Sequence, residues 1–374
     1  MAIPRILVQL DPDANASVFD AVVATDAGVD RLLQYNDVRP EQVPDLVNGC
    51  IFTRGPKDLQ QTAIFIGGRH VPDGEALLDA VQDSFFGPMR VSVMLDANGC
   101  NTTAAAAVLS AARHMDLDGT IALVLAGTGP VGERAARLLA GQGASVRIAS
   151  RQSVRAEATV ARIQAGHTES VLQPVQTASE SELQEALEDV QLVIAAGAEG
   201  IELLPQDNWQ ASPSLEVAID LNAVPPLGIA GIDVQDKATE NHGKTCYGAI
   251  GVGGTKMKIH KAALKRLYDS NDQVLDAEAS GDVAEIGTCR ATGSIEPVTG
   301  TATCGLVRPP PVGEIAGDQP VSGNADDLTG RPRVPGSPGL GQQFQLDGRG
   351  SDGGCQCAFF RLRDVRQGLG ADVL

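Results

Sequence analysis

The chain is short of basic charge. Its 374 residues include 29 Lys and Arg against 47 Asp and Glu, for a formal net charge of −18. Nucleic-acid phosphates are met by clustered cations, so an acidic excess of this size argues against a nucleic-acid partner. Long apolar runs are missing too: no stretch reaches the roughly 18 to 20 residues that a bilayer crossing needs. The opening MAIPRILVQLDPD meets Asp11 and Asp13 before an apolar signal core can form. Together these features predict a cytoplasmic protein without a membrane partner. Cysteine pairing has no rhythm either. Cys50, Cys100, Cys246, Cys289, Cys304, Cys355 and Cys357 are odd in number, which suggests reduced thiols. The five histidines show no H-x-x-x-H spacing, and Cys355-Gln356-Cys357 has no further ligands beside it, so no metal site is expected.

What the chain does have is 43% hydrophobic residues and enough length for two ordinary domains. Short β-like runs alternate with helix-like ones: strand 6–10, helix 17–28, strand 63–68, helix 73–86 and strand 91–96. A helix follows at 101–115, with Asn101 or Thr102 as its N-cap, and bridges into a second series. That series runs strand 120–127, helix 130–142, strand 144–150, helix 153–164, and strands 190–197 and 215–221. The pattern predicts an α/β protein whose second unit is a Rossmann-like, doubly wound parallel sheet. Beyond about Gly287 the composition changes. Residues 288–374 hold sixteen Gly and eight Pro without period, as in a disordered tail or an out-of-frame sequence. Residues 288–374 are therefore expected to form a tail that carries no core.

The stretch LVLAGTGPVGERAARLLAGQGASVRIASRQ (123–152) carries the cofactor signal. Gly127, Gly129 and Gly132 form G-x-G-x-x-G between a strand and a helix. The first glycine allows the tight turn, the second admits a pyrophosphate, and the third lets helix and strand pack closely. Thr128, Pro130 and Val131 complete the turn, and the helix N-terminus offers N–H groups and partial positive charge to phosphates. The second strand ends in Ser150 and Arg151, with Arg155 a turn further on, where an NAD site places an acid. A hydroxyl and guanidinia suit a 2′-phosphate, which favours NADP. NAD stays open, because a strand-end arginine is also an ordinary solvated residue. Ala196, Gly197 and Asn222 follow two further strands, at the level where doubly wound sheets touch the nicotinamide half. Pro225-Pro226 suits a rigid wall, with a cis bond as one form of it.

Several stretches are less general. SVFDAVVATDAG, IFTRG with TAIFIGG, MLDANGCNTTAAAA, VLAGTGPVG, LNAVPPLGIAGID and GAIGVGGTKMKIHKA together resemble the NADP-dependent methylene-tetrahydromethanopterin dehydrogenases of C1-metabolising bacteria, some of which also accept methylene-tetrahydrofolate. The resemblance covers the chain to about Ala277. It implies two domains, residues 1–100 completed by a helix at 255–287 as a substrate-side α/β domain and 101–254 as the NADP-binding domain, with the pterin carrier in the cleft between them, and a homo-oligomer, with a trimer among the forms. It also implies an oxidoreductase of one-carbon metabolism that moves a hydride to NADP. That step moves no proton, which agrees with the absence of a Ser/His/Asp, Cys/His or metal constellation. Lys256, placed at a glycine-rich turn, would bind a pterin carbonyl or ring nitrogen. Thr102, with Thr103, would meet cofactor or pterin at the helix start. Asp20, with Asp96, would offset the lysine charge beside a forming cation. The basic run from Lys256 to Arg266 would attract an anionic carrier tail or simply face solvent. Two other readings remain at this point: an NADP-dependent dehydrogenase of another small substrate, and a non-catalytic NADP(H)-binding sensor.

Overall fold

The computed structural model describes residues 3–166, 171–277 and 279–281. The 288–374 tail, with Cys355 and Cys357, lies outside the described residues. The chain alternates strand and helix from the start: β1 (Ile6–Leu10), α1 (Val18–Asp26), β2 (Arg31–Tyr35), α2 (Val43–Ile51), β3 (Thr62–Ile66), α3 (Val71–Asp83) and β4 (Ser92–Leu95). A long helix α4 (Cys100–Ala112) leads into β5 (Ile121–Leu125), α5 (Pro130–Gly141), β6 (Ser145–Ser150), α6 (Ser153–Gly166), β7 (Leu172–Gln176) and α7 (Glu180–Ala186). Then come β8 (Leu192–Ala195), α8 (Gln206–Ala211), β9 (Val217–Asp220), β10 (Lys237–Asn241), β11 (Lys244–Tyr247), α9 (Ala249–Arg266) and β12 (Val274–Leu275).

Two sheets result. The first runs β12-β4-β3-β1-β2 and is parallel throughout. The second runs β10-β11-β9-β8-β5-β6-β7, parallel except for the β10–β11 hairpin at one edge. Each is doubly wound, so each has a point where the strand order reverses: between β1 and β3 in the first, between β5 and β8 in the second. Ligands of open α/β sheets sit at such points, outside the carboxyl ends of the strands.

Strict alternation explains how both faces of each sheet are filled. In β3, Ile64 and Ile66 join the core that runs between the sheets, while Ala63 and Phe65 face the opposite layer with α1 and α9. In β5, Ala122 and Val124 take the shared core, and Leu123 and Leu125 take the outer one around the fully buried Trp209. The shared core is continuous because α4 is buried nearly all round, from Cys100 to Ala111. Only a helix built mostly of alanine-sized side chains can be enclosed in this way while its neighbours α5 and α9 approach closely. All described residues belong to one compact unit. Among them no helix is long and apolar enough to cross a membrane.

The structure corrects three expectations. Helix α4 is capped by Gly99 in the left-handed conformation (φ 60°), following Asn98 (φ 53°), and not by Asn101 or Thr102, which lie inside its first turn. The glycines of GAIGVGGTK form no turn before the last long helix. Helix α9 begins at Ala249 and runs through Gly251, Gly253 and Gly254, so Lys256 sits within it. That helix stops at Arg266 rather than spanning 255–287, and the chain then returns as β12 to pair with β4.

Candidate active site

At the switch point of the second sheet the glycine turn closes on itself. A Cβ on Gly132 would lie 2.8 Å from both the Ala126 carbonyl oxygen and the Gly127 Cα, so the helix touches the turn and only glycine fits. A Cβ on Gly127 would meet Ile148 Cγ2 and the Val124 carbonyl oxygen at 2.9 Å. The left-handed residue of the turn is Ala126 (φ 52°) rather than Gly127, whose need is space. Gly129 caps α5 in an extended conformation without a side-chain cap. A Cβ there would meet nothing nearer than the Ala126 carbonyl oxygen at 3.5 Å. The protein thus leaves the start of α5 open, a cradle that suits a pyrophosphate.

Around that cradle, Ser150 ends β6 buried, Arg151 and Arg155 are exposed, and Thr128 and Pro130 are half-buried at the turn, with Val131 packed beneath. Ala196 and Gly197 follow β8, and Leu203 Cδ1 occupies the place of a Gly197 side chain at 2.6 Å. Asn222 follows β9, but its amide is committed within its own loop: Oδ1 accepts from Val224 N at 3.0 Å and Nδ2 donates to the Pro226 carbonyl at 3.3 Å. The Pro225-Pro226 bond is cis. Beneath this loop the buried Asp220 accepts from Asn222 N and Ile229 N, both at 2.9 Å. Burial pushes its carboxyl up to about 6 against those hydrogen bonds.

At the switch point of the first sheet the carboxyl ends of β1, β3 and β4 deliver Asp11, Gly67-Gly68 and Asp96. The buried Asp11 uses both oxygens to fold the loop into α1, accepting from Asp13 N and Ser17 N at 3.0 Å. Ser17 in turn caps α1 by accepting from Asp20 N. The Asp20 and Asp11 carboxylates converge on Gly67, whose absent Cβ would lie 3.3 and 3.4 Å from their Oδ2 atoms. Burial pushes the Asp20 carboxyl up to about 7; the Ser17 side chain and Lys256 oppose the rise, and the charges of Asp96 and Asp11 add to it. A cleft of about 290 Å³ opens here, bounded by Asp11, Phe19, Asp20, Gly68, Asn98 and Gly99.

Asp96 organises the other wall. Its Oδ1 accepts from the backbone N–H groups of Asn101 and Thr102 at 3.0 Å, and its Oδ2 accepts the Thr102 hydroxyl at 2.6 Å. Thr102 is wholly enclosed, so its hydroxyl and its N–H already have a partner. Thr103 is also buried, and donates to the Gly99 carbonyl at 2.6 Å. Across from them, α9 places Lys256 and His260 one turn apart on the same face. Lys256 is half-buried and within electrostatic reach of both Asp20 and His260. His260 is 1% exposed, stacks on Phe65 at 5.5 Å and has neither ring nitrogen hydrogen-bonded; Nδ1 lies 3.8 Å from Asp96 Oδ2. Burial pushes its pKa down to about 4, outweighing the pull of Asp96, so the ring is neutral and the contact is not an ion pair. Of the basic run, Lys261 pairs with Asp26 at 2.8 Å and Lys258 is exposed.

The structure therefore gathers Asp96 and Lys256 within electrostatic reach of Asp20 beside one crevice, with Thr102 enclosed behind Asp96, and the glycine turn with Ser150 and Arg151 at the other. Asp11 and His260 escaped the sequence reading. Asp11 directly follows a strand, as Asp96 does, and His260 lies four residues after Lys256, so strand ends and helical spacing were the signals. A larger hollow of about 570 Å³ lies between α7 and α8, lined by Glu180, Glu188, Asp189 and Asp207, and shares no residue with either crevice.

The chain is similar to several known proteins. The family model for the N-terminal domain of methylene-tetrahydromethanopterin dehydrogenase matches residues 18–98. The chain is 47% identical over 276 residues to the bifunctional protein MdtA of Methylorubrum extorquens, covering 73% of this chain and 96% of that protein. It is 30% identical over 282 residues to the NAD(P)-dependent methylenetetrahydromethanopterin dehydrogenase of the same organism, covering 71% and 93%. Among solved structures, 5-ketofructose reductase from a Gluconobacter strain aligns at a TM-score of 0.44 and 15% identity, over 76% of this chain and 99% of that one. With nearly half the aligned residues shared across almost the whole of MdtA, the chain belongs to the methylene-tetrahydromethanopterin dehydrogenase family.

Proposed function

We propose that the chain transfers a hydride from methylene-tetrahydromethanopterin to NADP, giving the methenyl form, with methylene-tetrahydrofolate as a second carrier. The observation that carries this reading is Lys256 within electrostatic reach of Asp20 beside the carboxyl-end crevice of the first sheet, with the open glycine turn at that of the second. The same reading makes the protein a cytoplasmic homo-oligomer.

The dinucleotide would be held by the backbone of Gly127, Thr128, Gly129, Pro130, Val131 and Gly132 at its phosphates. Ser150, Arg151 and Arg155 would meet the 2′-phosphate, and Ala196, Gly197 and the Asn222 loop the nicotinamide half. When bound, NADP supplies the hydride-accepting nicotinamide ring. The chain's own task is to present the methylene carbon, flanked by two nitrogens, and to tolerate the amidinium cation that forms on the carrier. Lys256 donates to a pterin carbonyl or ring nitrogen. Its positive charge would oppose the forming cation, and Asp20, with Asp96 and Asp11 behind it, offsets that cost. Asp96 acts through geometry: it holds Thr102 and the first turn of α4 at the edge of the crevice.

Purified protein given NADP and methylene-tetrahydromethanopterin is expected to build methenyl absorbance in step with NADPH. Silence with this carrier and with the folate analogue overturns the reading.

A further inference from the structure

Helix α5 carries a guanidinium in an unusual place. Arg134 is 8% exposed in the second turn of the dinucleotide helix. A buried cation is tolerated only when its donors find acceptors. Here Nε donates to Asn101 Oδ1, Nη1 to the Pro130 carbonyl at 3.1 Å and Nη2 to Glu75 Oε1 at 2.7 Å. The partners belong to three elements: the first turn of α4, the first residue of α5, and α3.

Asn101 extends the connection. Its Nδ2 donates to the Leu95 carbonyl at 2.5 Å, and its backbone N donates to Asp96 Oδ1 at 3.0 Å. A path of hydrogen bonds, buried from Arg134 onward, therefore runs from Pro130, which opens the phosphate-side end of α5, through Arg134 and Asn101 to the carboxylate that holds Thr102. It bypasses every surface loop and spans the two switch-point crevices.

We propose that Arg134 is a positioning residue for hydride transfer: it fixes the start of α5 relative to Asp96, and so sets the separation of the two reacting carbons. The inference rests on the reading of the site given above. A misplacement of about 1 Å costs on the order of a hundredfold in rate, so a rigid tie between the two binding surfaces has a direct kinetic consequence. An apolar side chain of similar size would fill the space equally well, but it would connect nothing.

Arg134→Met keeps the stem and removes the donors. In amide hydrogen exchange on the full chain, NADP is expected to slow exchange at residues 127–133 in both proteins. At residues 96–104 it should slow exchange only in the wild type. In steady state the variant is expected to keep NADP affinity and carrier KM within about threefold while kcat falls by about ten- to a hundredfold. Arg134→Lys, which still reaches one acceptor, should recover part of the loss. Equal protection of 96–104 in both proteins overturns the proposal, as does an unchanged kcat, or a loss of kcat matched by lost NADP binding. If Arg134→Met fails to fold, Arg134→Gln, too short to join Asn101 and Glu75, carries both measurements under the same criteria. A wild type inactive with every carrier refutes the proposed function alone, because the exchange coupling is read without carrier.

Discussion

The Thr102 hydroxyl donates to Asp96 Oδ2 at 2.6 Å, and both residues are buried. Asp96 also accepts the N–H groups of Asn101 and Thr102, so it does the work of the N-cap that Gly99 cannot supply with a side chain. The carboxylate is thereby tied to α4 at three points. Thr102→Val keeps the shape but leaves the buried Oδ2 without this donor. The expected cost is about 1–2 kcal/mol, read as a lower midpoint in thermal unfolding, with Thr102→Ser restoring most of it. If Thr102→Val were as stable as the wild type, the hydroxyl would not support Asp96.

Asp20 is held in a form that the fold does not prefer. Its pKa in the folded protein, raised by burial to about 7, lies above the ordinary 3.8, so the protonated form is favoured by folding. That contribution is complete below about pH 4 and is lost as the pH rises to about 7. Asp20→Asn should therefore be more stable than the wild type at about pH 8, by about 1 kcal/mol after allowance for solvent around the half-buried group, and the gain should vanish in acid. Activity should move the other way. The wild-type rate should rise with ionisation of this carboxyl, while Asp20→Asn should be slower by about ten- to a hundredfold with a flat profile through neutrality. A variant that is faster, or less stable at high pH, would remove Asp20 from its electrostatic role.

How much of this was legible in the sequence depended on burial. Both central parallel sheets were readable because β3, β5, β8 and β9 are enclosed on both faces and their sequences are apolar except for Thr62 and Asp220 at strand ends. The elements that escaped include the edges: β2 is exposed at four of its five residues, β7 contains Pro174, and β10 is charged and mostly exposed. An edge strand has one partner and little core, so its pattern is weak. The glycine turn was readable because close approach demands glycine at Gly127 and Gly132. The glycines of α9 misled for the same reason in reverse: Gly251 is needed because a Cβ would lie 1.8 Å from the Asp236 carbonyl oxygen, a contact made inside a helix and invisible to local pattern. Arg134 and His260 were unreadable as partners because their neighbours, Glu75 and Asn101 for one and Phe65 and Asp96 for the other, are distant in sequence.

Gly132 offers a test of the cradle independent of the chemistry. Its Cβ in Gly132→Ala would press on the Ala126 carbonyl oxygen and Gly127 Cα, both backbone atoms that cannot rotate away. The turn must shift, at a cost of about 1–3 kcal/mol. The N–H groups proposed to bind phosphate shift with it. NADP affinity should fall at least about tenfold while carrier binding is retained, as measured by calorimetry with each ligand alone. Undiminished NADP affinity would place the dinucleotide elsewhere.

On the proposed function, Arg151 is expected to decide between the two nicotinamide cofactors. It is exposed at the end of β6, one strand from the glycine turn, with the buried Ser150 immediately before it. A charge-assisted contact from this guanidinium to a 2′-phosphate is worth about 1.5–3 kcal/mol. Arg151→Asp removes that contact and adds a repelling carboxylate, which would instead accept hydrogen bonds from the free ribose hydroxyls of NAD. NADP affinity should fall by about a hundredfold or more and NAD affinity should hold or improve, so the ratio of the two dissociation constants inverts or nearly so. Were the two affinities to change alike, Arg151 would affect the fold of the strand end and not the 2′-phosphate, and Arg155 would be the remaining cation to test.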